Sequence, residues 1–317
     1  VGAETLKRLL VNDCLSALPD HRTFWNDLQD WFGCEFVGGE YSILAAEADK
    51  RSGGASIIIR NGTWFPPVPG NTPTISLIQD IFTEGPVRDM QDAVISDHGC
   101  IVFNSEFTRS KYIPTNGEPF RWDHEEVIPL PVDFGTFEPG NHMGLQQALG
   151  LPDGGVIWVG SQNPIKGYET FIRIVRSNPH IPFVGVFKDS LPEYGPPNLR
   201  SYCRVTHEEL AKLIGACRVG LCTSVRESQH LAGIEMGACG LPIVVPNTGT
   251  YWNRAEMPGA IITEPSVRNY SDAIRSMLAV SGNPSPTRNY WMEEFDPSVV
   301  LAAWAKLIEE VECSGRS

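Results

Sequence analysis

The run Ser224–Gly249, SVRESQHLAGIEMGACGLPIVVPNTG, sets Glu227 and Glu235 eight residues apart around the start of a helix, then turns into an apolar strand and a polar loop. Eight residues of helix rise about 12 Å. A helix start turns unpaired backbone N–H groups and a positive dipole end toward an anion, and carboxylates accept hydrogen bonds from hydroxyls. A pyrophosphate flanked by two sets of hydroxyls, as in a sugar nucleotide, matches that spacing. With the strand Val219–Cys222 just before it, the run gives a strand–helix–strand order, which is the mark of a parallel sheet with crossover helices.

The same alternation extends in both directions. Upstream, strands are expected at Leu9–Asn12, Glu35–Val37, Ser56–Arg60, Thr74–Ile78, Cys100–Phe103 and Glu126–Leu130, with helices at Thr23–Phe32, Tyr41–Lys50 and Val87–Asp97. Between them NGTWFPPVPGNTP, from Asn61 to Pro73, is kept irregular by its prolines. The later half reads as strands Val156–Val159, Phe183–Phe187, Arg200–Val205, Val219–Cys222, Pro242–Val245 and Ala260–Thr263, with helices Tyr168–Ser177, His207–Ala216, Gln229–Ala238 and Val267–Ala279. A hinge is expected in Pro131–Gly140. The expected organisation is two Rossmann-like doubly wound domains, 1–136 and 137–292, followed by a C-terminal helix in 293–317.

Composition narrows the function. With 317 residues, 42% apolar and 20% charged, the chain has material for two cores. A formal charge of −13 argues against a nucleic-acid partner or an anionic lipid surface, so any phosphate site must be local. The early stretch His21–Phe32 carries only Arg22 as a fixed cation, which leaves membrane association unsupported. Eight scattered cysteines without a C-x-x-C, no secretory signal, and no apolar run near the ~20 residues of a bilayer span lead to the expectation of a soluble cytoplasmic protein. The histidines show no H-E-x-x-H spacing, and neither a P-loop nor a G-x-S-x-G elbow is present. No metal and no cofactor are expected.

Glu227-Ser228-Gln229-His230 followed by Glu235-Met236-Gly237-Ala238-Cys239-Gly240-Leu241-Pro242 resembles the E-x7-E segment of the retaining glycosyltransferases of family 4. Ser105–Arg109, Val127-Ile128-Pro129, Gly160–Gly167 and His207–Leu210 echo other segments of that family in order. The resemblance implies the GT-B fold, with two Rossmann-like domains facing a cleft and the last helix crossing back to the first domain. It also implies transfer of a hexose-like sugar from a nucleotide-diphosphate donor, with a UDP- or GDP-sugar expected, to a glycan, glycolipid or small-molecule hydroxyl.

Carried onto this chain, the resemblance makes Glu227 the acceptor of hydrogen bonds from the donor sugar, beside Ser228, Gln229 and His230, and sets Glu235 on the ribose. Lys166 is placed on the diphosphate in the loop from Gly160. Ser161 stands where the family carries an arginine, and Lys188 or Arg226 is the expected substitute cation. Thr206 lies near the base. On the acceptor side, Asp13, Gln79 and Asp80 are the candidates; Gln79 occupies a position often held by histidine and cannot act as a base, so the leaving phosphate would take that role and Asp80 would be the nearby carboxylate. The departures at Ser161, Gln79 and the Glu227 loop keep open a non-catalytic sugar-nucleotide binder or a sugar-nucleotide epimerase of the same architecture.

Overall fold

The structure, a computed structural model, describes residues 8–12, 35–38, 57–61, 72–79, 81, 88, 92, 95–96, 99–113, 120–140, 142–151, 154–254, 256–279 and 285–314. The expected helices Thr23–Phe32 and Tyr41–Lys50 lie outside the described residues, as do most of the proline-rich loop and the candidates Asp13 and Asp80. The chain forms two compact units, 1–130 with 298–317, and 131–297.

The first unit holds a parallel sheet in the order β2-β1-β3-β4-β5-β6, built from β1 (Arg8–Asn12), β2 (Glu35–Gly38), β3 (Ile57–Asn61), β4 (Thr74–Ile78), β5 (Cys100–Phe103) and β6 (His124–Val127). Ile57–Ile59, Ile75, Leu77, Ile78 and Cys100–Phe103 are all buried. Such unbroken apolar runs fit strands covered on both faces. Because side chains alternate along a strand, Ile57, Ile59, Ile75, Leu77, Cys100 and Val102 share one face, where they pack on Val300, Leu301, Trp304, Leu307, Ile308 and Val311. Those last six form the apolar stripe of the terminal helix Pro297–Ser314. Ile78, Ile101 and Phe103 fill the other face with Ile95 and Tyr112. The sheet's last strand starts two residues before the expected Glu126, and Glu106–Lys111, quoted above only as a family segment, is a helix capped by the Ser105 hydroxyl.

The second unit has a parallel sheet in the order β12-β11-β10-β7-β8-β9, from β7 (Val156–Gly160), β8 (Phe183–Phe187), β9 (Leu199–Cys203), β10 (Val219–Leu221), β11 (Ile243–Pro246) and β12 (Ala260–Thr263). The chain builds outward from β7 to β9, then returns to the other side of β7 with β10. Neighbouring strands β7 and β10 therefore send their following loops side by side at the carboxyl edge, the switch point where open α/β sheets take ligands.

The units divide at Leu130/Pro131 and Pro297/Ser298, rather than at the expected 136/137 and 292/293. Packing explains both shifts. Val132, Phe134 and Phe137 are buried in the second unit's core together with Trp291 and Phe295 of the helix Ser285–Phe295, an element absent from the sequence reading. Arg288 of that helix donates to the carbonyl oxygens of Phe134 (2.7 Å), Phe137 (2.6 Å) and Ala238 (2.7 Å), and its guanidinium lies 5.3 Å from the Phe134 ring. The third of these carbonyls ends the helix Leu231–Ala238, where a cation is favoured by the helix dipole. Arg288→Ala would leave three carbonyls without their donor, and is expected to lower the unfolding free energy of the second unit by roughly 3 kcal/mol. Urea unfolding followed by tryptophan fluorescence would measure it; an unchanged midpoint would mean that water replaces the guanidinium without loss.

Candidate functional site

The two loops at the switch point are fastened to one another. After β7, Asn163 caps a single 3-10 turn, Pro164–Lys166, and Gly167 follows in the left-handed conformation (φ 69°). A Cβ on Gly167 would stand 1.9 Å from the carbonyl oxygen of Thr223, just past β10, so only glycine allows this contact. The Thr223 hydroxyl donates to the carbonyls of Lys166 (3.0 Å) and Gly167 (3.1 Å) and accepts from the Trp158 indole at 2.9 Å. The backbone N–H of Val225 donates to Ile165 at 2.8 Å. These bonds fix the point from which the Lys166 side chain leaves the backbone.

Lys166 reaches across to Glu227. Its ammonium is 2.8 Å from Oε1 and 2.9 Å from Oε2, and the Ser224 hydroxyl donates to Oε1 at 2.6 Å. Glu227 is buried (8% of its side chain exposed), whereas the Lys166 side chain is 38% exposed. Burial alone would raise the Glu227 carboxyl; the neighbouring His230, the positive charge of Lys166 and the hydrogen bonds from Lys166 and Ser224 outweigh it and hold the group below the usual carboxylate range. From the loop after β11, Thr248 accepts the Glu227 backbone N–H at 3.2 Å, and Gly249 (φ 57°) leaves room for the Glu227 Cβ.

The helix expected from Gln229 begins at Leu231. Gln229 is buried, and His230 takes a left-handed backbone (φ 68°, ψ 62°) that ends the loop before helical geometry starts. A non-glycine residue here carries a strain of about 1 kcal/mol or more. Its imidazole is buried, with Nδ1 3.0 Å from the hydroxyl of Tyr251 and the two rings edge to face. Burial, opposed by the Glu227 charge, pushes His230 down to about 4, so the ring is neutral at pH 7. Gly233 makes the space: a Cβ there would lie 1.8 Å from the Tyr251 hydroxyl.

Glu235 differs from Glu227 in every respect. It is half-buried on the second turn of the helix, without a hydrogen bond or ion pair from any described residue, and burial raises its carboxyl to about 7. An unpartnered buried carboxylate is costly to hold, and a ligand hydroxyl would supply the missing partner.

The remaining candidates occupy the same edge to different degrees. Gly160 ends β7, and its carbonyl takes the Lys188 N–H at 3.1 Å; Lys188 itself is exposed, while Ser161, Arg226 and Ser228 are half-buried. Neither Lys188 nor Arg226 faces a carboxylate among the described residues, so both cations remain available to an anion. The Thr206 side chain is engaged in a capping box with Glu209, which leaves only its backbone for a base. Gln79, at the end of β4, belongs to the first unit. Thr223, Ser224 and Tyr251 went unread in the sequence, although the hydroxyl residues at the end of β10 were the signal for them.

Cys222, Glu227 and His230 bring ligand atoms within 4.8 Å of one another. The set does not fit a metal ion. Lys166 and Ser224 fill the carboxylate, Tyr251 engages the imidazole, and burial keeps the thiol protonated by raising it to about 12.

No family model matches the chain. Over 289 residues it is 24% identical to D-inositol 3-phosphate glycosyltransferases of Mycobacterium bovis and Mycobacterium tuberculosis, covering 79% of this chain and 59% of theirs. The chain thus spans less than two thirds of the length of these relatives. Among solved structures, Anabaena HepE in complex with UDP superposes with a TM-score of 0.77 at 15% identity, over 96% of this chain and all of that one. Sucrose-phosphate synthase of Thermosynechococcus elongatus gives 0.72 at 14%, over 98% and 100%. The chain has the GT-B fold.

Within this GT-B chain the two glutamates should respond to pH in opposite ways. Glu235 binds its proton more tightly folded (about 7) than unfolded, where a glutamate titrates near 4.3. Its stabilising proton is fully present below the unfolded value and is lost as pH rises through 7. Glu235→Gln removes that dependence. The variant should therefore match the parent near pH 4.5 and exceed it by about 3 kcal/mol at pH 8. Parallel melts at the two pH values test this, and an equal difference at both would show that the Glu235 carboxyl is not raised.

Proposed function

We propose that this chain is a retaining glycosyltransferase of the family 4 type, moving a hexose-like sugar from a nucleotide-diphosphate donor to a hydroxyl acceptor without a metal ion. The observation that carries the reading is that the edge of the second unit's sheet brings a part-exposed lysine against a buried ionised glutamate, and that the helix following this loop carries a half-buried glutamate without a partner among the described residues. These are the three groups a sugar nucleotide requires: a cation for the diphosphate, an acceptor for sugar hydroxyls and an acceptor for the ribose diol. The names of similar proteins support it, since the mycobacterial relatives are glycosyltransferases and HepE was solved with UDP and with UDP-glucose. A UDP-sugar is accordingly the first donor to test.

In this reading Lys166, helped by Arg226 or Lys188 in place of the cation that Ser161 cannot supply, stabilises the charge that develops on the departing diphosphate. Glu227 orients the donor sugar and Glu235 the ribose. Gln79 offers no base, so the departing phosphate oxygen takes the acceptor proton as the acceptor attacks from the same face, which preserves the anomeric configuration. Metal-free chemistry is supported by Lys166 sitting where charge must be offset and by the filled donor set around Glu227. The acceptor is a glycan, a glycolipid or a small molecule. No helix among the described residues is long and apolar enough to cross a membrane.

Calorimetric titration with UDP, GDP and ADP, followed by assays for nucleotide release from the matching sugar nucleotides, tests the proposal. Binding with slow release is expected. Glu227→Ala should lower the release rate by about 100-fold or more, and Lys166→Ala should weaken nucleotide binding by roughly tenfold. Release at the parental rate in Glu227→Ala would remove that residue from the site, and absence of binding by any nucleotide would overturn the proposal.

A further inference from the structure

The ion pair that identifies the site also obstructs it. An ionised carboxylate offers about four lone-pair positions, and three of those on Glu227 are filled by Lys166 at 2.8 and 2.9 Å and by Ser224 at 2.6 Å. The Lys166 ammonium likewise points two of its three protons at one carboxylate. Neither group is free for the role it has in the proposed function.

We propose that the Lys166–Glu227 pair is a specificity device that keeps the sugar site closed until a diphosphate draws the lysine away. The inference rests on the nucleotide-sugar reading of the site given above. Three features make the pair releasable. Lys166 is anchored at its backbone by Thr223 but 38% exposed along its side chain, so its head swings while its base stays fixed. A diphosphate carries more negative charge than one carboxylate and wins the contest for a shared ammonium, and two anions about one cation in a buried site repel one another. Glu227, finally, does not lose its support when the lysine leaves, because Ser224 and the Thr248 contact to its backbone hold it in place. Two oxygen positions then open toward a hexose. A free sugar finds the carboxylate occupied, whereas a sugar arriving with a diphosphate finds it vacated.

The consequence is a coupling between two ligands of one site, and coupling is reciprocal. The decisive measurement is UDP affinity, by calorimetry, of the parent, Glu227→Gln, Lys166→Met and the double variant, each first confirmed folded by circular dichroism. Glu227→Gln keeps the shape of the side chain but frees the lysine, and UDP should bind about tenfold more tightly. Lys166→Met should bind it more weakly, and the gain from Glu227→Gln should vanish in the Lys166→Met background. If Glu227 instead merely positions Lys166 for the phosphates, Glu227→Gln will weaken UDP binding; that result, or no change, overturns the inference while leaving the nucleotide site intact. A second arm uses free hexoses, with glucose, galactose, mannose and N-acetylglucosamine as probes. The parent should bind one of them only with UDP present, and Lys166→Met should bind the same sugar with or without UDP. Equal binding of a hexose by the parent in both conditions also overturns it. A parent that binds none of UDP, GDP, ADP or pyrophosphate overturns the nucleotide reading and the inference together.

Discussion

No side chain fits at residue 167. The backbone there passes within bonding distance of Thr223, and this contact between the loops after β7 and β10 is the constraint from which the candidate site follows. The sheet order makes it available by returning the chain from β9 to the free side of β7. Glycine makes it close, and the Thr223 hydroxyl, bonded to two carbonyls and to the Trp158 indole, makes it rigid. Trp158 is itself buried and stacked on Phe171 at 4.6 Å. A core residue thereby fixes the origin of the candidate lysine, which is how a packed interior gives precision to a group at the sheet edge.

The two glutamates show how one helix and its preceding loop create unlike environments for the same side chain. Glu227 is buried but surrounded by donors, and stays ionised; Glu235 is half-buried without a donor among the described residues, and rises to about 7. Separation of titrating groups by environment is a frequent property of functional sites. His230 takes part in both halves of the contrast. Its left-handed backbone shapes the loop holding Glu227, and its neutral ring, seated against Tyr251 in the notch of Gly233, fills volume that charge could not occupy at this depth.

The fold class was legible because strands such as Ile57–Ile59, Cys100–Phe103 and Phe183–Phe187 are apolar runs of the kind a doubly covered sheet requires, and because helices follow most of the strands of the second unit. The candidate site was legible where its residues fall in short continuous segments: Lys166, Glu227 and Glu235 could be singled out from their frame. What escaped the sequence is what depends on contacts between distant segments. The Thr223 hydroxyl, the Arg288 clamp on three carbonyls and the Ser285–Phe295 helix answer to partners far away along the chain, and no local pattern records them. The helix start was misplaced by two residues for a different reason. Gln229 and His230 fit a helical pattern, but the left-handed backbone at His230 reflects the tertiary demand for room beside Tyr251, which overrides local preference.

Under the proposed function an acidic chain has to hold a diphosphate, and the local arrangement bears on that electrostatic problem. The net charge of −13 sets a repulsive background for a polyanion, yet the loops at the carboxyl edge of the second sheet carry the cations Lys166, Lys188 and Arg226 beside the ionised carboxylate of Glu227. Glu235 carries only about half of a negative charge at pH 7, because burial lifts its carboxyl to about 7. The Lys166–Glu227 ion pair therefore does more than fill space. By neutralising Lys166 with a buried partner it spares the fold an uncompensated charge at the sheet edge, and in the coupling we propose it also reserves the carboxylate for a ligand that brings its own phosphates.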